Sequence, residues 1–234
     1  MNEMDLYQKH MARLEKGENL STQDKRLKAH IDRSRAKYQA AAKDLLKDLE
    51  DIGFSVTSVA ALGDGGRKYA DAIPILMKWL PLVKYDALRD DIVRTMSVPW
   101  GKPAADLLIR EFKRASPGEG VDYRWVIGNA LATIAQKRHF PELANIVRDR
   151  KNGSDRQMVF LALAKTKHPE AAPVLVAMIP HGEEIGHIFS ALRRLKARVP
   201  RELVEPYLNH EFPLYRKQAK KLLALQDKLD AAES

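Results

Sequence analysis

The chain has 234 residues, no cysteine, and 40 lysines and arginines against 31 acidic residues, a formal charge of +9. That length buries roughly 70–75% of the surface an unfolded chain exposes, enough for one sizeable core or one continuous repeat array, and 45% hydrophobic with 30% charged residues describes a folded chain rather than a disordered one. Zero cysteine excludes a disulfide-stapled scaffold, a zinc–thiolate module and thiol catalysis, while the positive balance points to an anionic partner.

The start, Met1 to Lys9, mixes both charge signs and precedes no apolar run, so no secretory leader is expected. The longest apolar stretches, such as Ile73 to Leu80, contain Lys or Pro and fall short of the ~20 residues a spanning helix needs. A cytoplasmic protein without membrane insertion is the expectation.

Helical periodicity predicts a short helix from Asp5 to Lys16, a break at Gly17-Glu18-Asn19, and one long helix from Thr22 to Ile52. Ser21 followed by Asp24 is a capping-box start, and Gly53 supplies a left-handed stop. Leu27, Ile31, Tyr38, Ala41, Leu45, Leu49 and Ile52 recur at three- and four-residue steps and predict an apolar stripe along one face. Residues 1–52 carry eleven basic and ten acidic side chains, so the excess positive charge lies beyond them. We take residues 1–62 as a helical N-terminal extension. Gly63-Asp64-Gly65-Gly66 reads as a connecting loop, because it lacks the spacing of a phosphate-binding loop and no strand precedes it.

After Tyr69 the chain repeats itself. Pro74-Ile75-Leu76, Ala105-Asp106-Leu107, Ala144-Asn145-Ile146, Pro173-Val174-Leu175 and Pro206-Tyr207-Leu208 form one series, whose Leu/Ile positions are spaced by 31, 39, 29 and 33 residues. Thr95-Met96, Ala130-Leu131, Ala162-Leu163, Ala191-Leu192 and Lys221-Leu222 form a second, spaced by 35, 32, 29 and 30. Two interleaved series with one period predict a helix–turn–helix unit repeated about five times. Such a unit cannot bury its stripe alone, so stacking creates the core and predicts an all-α, right-handed α-solenoid.

Ala72-Ile73-Pro74-Ile75-Leu76, Ala172-Pro173-Val174-Leu175, Asp91-Ile92-Val93-Arg94 and Tyr215-Arg216-Lys217-Gln218-Ala219 resemble the HEAT-like repeat family, in the short bacterial form of the phycobilisome lyases. The resemblance covers residues 69–229 and implies an armadillo-type fold. The tetratricopeptide signature W-x-x-L-G-x-x-Y is missing. Ser116-Pro117-Gly118-Glu119-Gly120 lengthens the turn of the second repeat and predicts a projecting loop.

Chemical motifs are sparse. In His181-Gly182-Glu183-Glu184-Ile185-Gly186-His187, Glu184 and His187 stand at i and i+3, but no second copy exists and the spacing differs from H-E-x-x-H, so no metal site is assigned. No G-x-S-x-G elbow occurs, and Ser58, Ser97, Ser154 and Ser190 have no local base. We expect no cofactor and no catalysis. HEAT-like alkyl-base DNA glycosylases carry aromatic residues and a carboxylate on a basic concave surface, but the chain does not match that motif residue by residue. Trp79, Trp100 and Trp125 read mainly as packing residues.

In the second repeat Ile127, Ala130, Leu131 and Ile134 share the face that must be buried. That leaves Trp125, Asn129 and Ala132 facing the inner groove. The repeat spacings extend this to three rows: Asp90, Trp125, Gln157, Gly186 and Arg216; Arg94, Asn129, Leu161, Ser190 and Lys220; Ser97, Ala132, Ala164, Arg193 and Leu223. Basic residues are densest from Arg193 to Lys221. The expectation is a non-catalytic adaptor holding a protein partner through Asp90, Arg94, Trp125, Asn129, Gln157, Arg193, Arg216 and Lys220. The alternative is a nucleic-acid-binding protein using the basic C-terminal half, with a HEAT-like enzyme third.

Overall fold

A computed structural model describes residue 12, residues 21–116 and residues 123–232. The short helix expected at Asp5–Lys16 therefore lies, apart from Ala12, outside the described residues, as does the loop expected after Ser116. Ten α-helices and a series of short 3-10 turns make up the described residues, with no strand among them. None of these helices is long and apolar enough to cross a membrane.

Helix α1 is Thr22–Asp51. Its start is the expected capping box: Ser21 Oγ accepts from the Asp24 amide at 3.1 Å, and the Asp24 carboxylate accepts from the Ser21 amide, also at 3.1 Å. Its end is the expected glycine, since Gly53 has a φ of +88°.

The apolar stripe is only partly buried. Leu45 and Leu49 are inaccessible to solvent and Ala42 is buried in place of the expected Ala41, which is exposed, whereas Leu27 is 40% and Ile52 41% exposed. Ile52 is the residue that caps the C-terminal end of α1, and for Leu27 the reason is length. The helices on which α1 packs, α2 (Ile73–Trp79) and α3 (Asp86–Thr95), have 7 and 10 residues against its 30, so the N-terminal half of α1 runs past them. The docked half is fixed by polar contacts. Tyr38 Oη donates to Asp91 on α3 at 2.8 Å and accepts from the Val59 amide at 3.2 Å. Asp48 accepts from Lys78 Nζ at 2.8 Å and Trp79 Nε1 at 2.7 Å.

The remaining helices are α4 (Ala105–Arg114), α5 (Tyr123–Ile134), α6 (Phe140–Arg148), α7 (Gln157–Lys165), α8 (Ala171–Met178), α9 (Ile185–Leu195) and α10 (Pro213–Ala231). Pro74, Pro141 and Pro213 sit in the first turns of α2, α6 and α10, where a missing N–H costs no hydrogen bond and a fixed φ favours helix.

The two anchor series fall on alternating elements. The second series lies on or at the ends of α3, α5, α7, α9 and α10, and Met96, Leu131, Leu163, Leu192 and Leu222 are all fully buried. These five elements pack in chain order, α3 on α5, α5 on α7, α7 on α9 and α9 on α10. The first series lies on α2, α4, α6 and α8, with Leu76, Leu107, Ile146 and Leu175 buried. Its fifth anchor departs from the pattern: Pro206-Tyr207-Leu208 lies in a 3-10 turn, Glu205–Asn209, rather than an α-helix. Pro200 opens the preceding 3-10 turn, Arg201–Leu203, and its ring restrains the residue before it, so the chain between α9 and α10 is taken up by two short turns.

Candidate interaction face

Each of the four interhelical steps places the expected surface residues on a different helix. Asp90 and Arg94 lie one turn apart on α3 and form an ion pair at 3.7 Å. Burial raises the Asp90 carboxyl above its ordinary range, and the Arg94 guanidinium opposes that shift. Trp125 and Asn129 are one turn apart on α5, Gln157 opens α7, Arg193 lies on α9, and Arg216 and Lys220 lie one turn apart on α10. All eight are half-buried or exposed. Ile127, Ala130, Leu131 and Ile134, assigned to the opposite face of α5, are each 1% exposed or less.

The rows are not open throughout. Leu161, Ala164, Gly186 and Leu223 are buried. The Leu214 side chain covers Gly186, so close that a β-carbon there would meet it at 2.9 Å. Polar access therefore lies on α3 and α5, at Gln157 where α7 opens, and along α9 and α10.

Arg216 has a role within the chain. Its guanidinium donates to the His210 and Glu211 carbonyls, each at 2.7 Å. Arg193, Lys217, Lys220 and Lys221 make no ion pair among the described residues, whereas Arg198 and Arg201 are held by Asp230 and by Glu205 and Asp227. The basic cluster read from the sequence thus divides into arginines engaged within the fold and cations left to solvent.

One position before the first row stands a set of residues that the sequence reading left unassigned. Arg89, Arg124 and Arg156 are 8%, 7% and 0% exposed. Each lies six residues before its buried second-series anchor, Thr95, Ala130 and Ala162, and that constant offset was the available signal. Arg124 Nε donates to the Phe112 carbonyl near the end of α4 at 3.0 Å, and its guanidinium lies over the Phe112 ring at 4.6 Å and reaches Asp155 at 3.5 Å. Arg156 repeats this: it donates to the Val147 carbonyl near the end of α6 at 2.6 Å and pairs with Glu183. Arg89 lies over Tyr123 at 4.1 Å and 3.7 Å from Glu111, a 4%-exposed carboxylate that also accepts from Arg114 at 2.9 Å. Burial pushes the Tyr123 hydroxyl up to about 12.

The physical logic is common to Arg124 and Arg156. The last carbonyls of an α-helix have no partner within it and carry partial negative charge. A guanidinium from the following helix satisfies them and reaches on to the next unit.

The Glu184–His187 pair forms at 3.5 Å, but Glu183 is taken up by Arg150 and Arg156. The Arg150 hydrogen bond holds the Glu183 carboxyl below its ordinary range. Among the described residues no three His, Asp or Glu side chains come together as metal ligands. The face can therefore offer hydrogen bonds, one half-buried indole and unpaired cations. Comparison with protein-family models, with curated proteins and with solved structures found no match to this chain.

Proposed function

We propose that the chain is a HEAT-like α-solenoid that acts as an adaptor, holding an acidic segment of a protein partner along α3, α5, α7, α9 and α10. The observation that carries this reading is the contrast between neighbouring positions. Arg89, Arg124 and Arg156 are buried and engaged, while Asp90, Trp125 and Gln157, each one residue later, reach solvent on successive packed helices. Trp125 offers a rigid aromatic anchor of the kind that concentrates binding energy, flanked by Asn129 as a hydrogen-bonding group. Arg193 and Lys220, unpaired among the described residues, complement carboxylates at the C-terminal end. No cofactor enters this reading.

Affinity capture with the wild type, Trp125→Ala and Lys220→Glu tests the face. Lys220 is chosen over Arg216 because a change at Arg216 would also break its two bonds to main-chain carbonyls. The expected outcome is a common set of captured proteins lost from both variants; recovery of the same set by all three would overturn the assignment. A salt series on duplex and single-stranded DNA separates the alternative. Log affinity falling steeply and linearly with log salt would assign the unpaired cations to a phosphate backbone instead.

A further inference from the structure

The turn after α7 and the turn after α9 converge on a pocket of 430 Å³ whose lining includes Lys167, His168, Ala172, Arg194, Leu195 and Lys196. That volume lies within the range of small-molecule sites, about 300–1,000 Å³. It is separate from the partner face proposed above, and the inference below does not rest on that reading.

Three features of the pocket are independent of one another. The first is charge. Lys167, Arg194 and Lys196 are exposed and their side chains make no ion pair or hydrogen bond among the described residues, and no carboxylate lines the pocket. The nearest acid in sequence, Glu170, lines a different pocket with Arg148 and His181.

The second is backbone. Lys167 and Lys196 both have a φ of +52°, at equivalent places just beyond the ends of α7 and α9. Their separation of 29 residues is that of the Leu163 and Leu192 anchors. Helix ends of this kind usually take glycine or asparagine, because a β-carbon is strained in the left-handed region. Lysine occupies the strained position twice, and both lysines line the same pocket.

The third is rigidity. Thr166 Oγ1 donates to the Leu163 carbonyl at 2.6 Å and accepts from the His168 amide at 3.2 Å. The His168 ring stacks on Phe140 with centroids 3.9 Å apart, and its Nδ1 accepts from the Glu170 amide at 3.2 Å. With Nδ1 an acceptor, the neutral ring carries its proton on Nε2 and is a further donor.

Three uncompensated cations around one small volume call for a ligand that concentrates about three negative charges in a few atoms, which condensed phosphates do and single carboxylates do not. Ala172 and Leu195 add an apolar wall. We infer that this pocket binds a small molecule bearing a condensed phosphate, with the apolar wall receiving its organic body, as in a nucleoside diphosphate.

Isothermal titration of the full chain with ADP and with pyrophosphate, at low ionic strength, tests this. Saturable one-to-one binding of both is expected, with ADP the tighter; equal affinities would overturn the organic body. Lys167→Gly with Lys196→Gly should weaken ADP by about tenfold or more, since two charge-assisted contacts are lost. The thermal midpoint should stay the same or rise, because glycine suits both backbone positions. Arg194→Ala provides a second loss variant with no change at a strained residue. Removing two charges elsewhere, by Lys43→Ala with Lys47→Ala on α1, should leave ADP binding within about twofold. No saturable binding by the wild type, unchanged binding in the glycine variant, or equal loss in the α1 variant would each overturn the proposal, the last by reducing it to diffuse attraction.

Discussion

Arg156 is the most deeply buried charged side chain among the described residues, with no solvent exposure, bonds to Val147 and Glu183, and an Nε that finds no partner there. Burying a guanidinium is costly, and a buried pair often stabilises no more than a well-packed apolar side chain of similar volume. Losing one member is different, because the partner remains. Arg156→Ala should therefore cost about 3 kcal/mol, from the stranded carbonyl and the space left beside Phe160. Arg156→Met, which strands the same carbonyl but keeps most of the volume, should cost about 1–2 kcal/mol less than the alanine variant. Urea unfolding of both variants measures the difference, and equal losses would show that charge rather than volume holds this joint. Arg156 followed by Gln157 reads as two polar residues in sequence, and only a periodic count from the Ala162 anchor distinguishes the buried one from its exposed neighbour.

At the scale of elements, the close approach of α5 and α7 depends on Gly128. A β-carbon at that position would meet Met158 Cβ at 2.9 Å and the Val159 amide nitrogen at 3.5 Å. Glycine inside a helix is otherwise unfavourable by about 0.5–1 kcal/mol relative to alanine. Gly128→Ala should nonetheless destabilise, by about 1–3 kcal/mol, because overpacking at a rigid interface outweighs the gain in helix propensity. Gly186→Ala is the informative comparison. Its β-carbon would meet the Leu214 side chain, 46% exposed and free to turn away, at 2.9 Å and the Tyr215 ring at 3.4 Å, so its thermal midpoint should change little or rise. If the two substitutions shift the midpoint alike, backbone propensity rather than interhelical distance sets the effect. The small residues of the second series announced close packing between helices, but which glycine is crowded by a stiff neighbour and which by a flexible one depends on the facing helix.

For the whole molecule, the packing order makes a prediction about truncation. Helix α9 packs on α7, α8 and α10, and α10 packs on α9 and the turn before it. In an array of this kind stability is close to a sum of units and their shared interfaces. A chain ended at Pro200 should keep its helix content per residue and unfold at a lower temperature, since the face of α9 bearing Phe189 and Leu192 loses its cover. Circular dichroism of the shortened chain checks this. Complete loss of helix would show instead a single indivisible core and would overturn the solenoid reading.

Helix type, the capping box at Ser21, the glycine stop at Gly53 and the two anchor series were set by local rules, because periodicity, caps and turn residues act over a few positions. The same rules placed Ile127, Ala130, Leu131 and Ile134 in the core and left Trp125 and Asn129 toward solvent. Tertiary structure alone decided which half of α1 is covered, since that depends on how far the short α2 and α3 extend beside it. It also decided that Arg156 and Arg216 serve main-chain carbonyls while Lys220 remains free, and that Lys167 and Lys196, 29 residues apart, share one pocket. A charge is legible in sequence, but its partner is fixed only when chain segments far apart are brought within hydrogen-bonding distance.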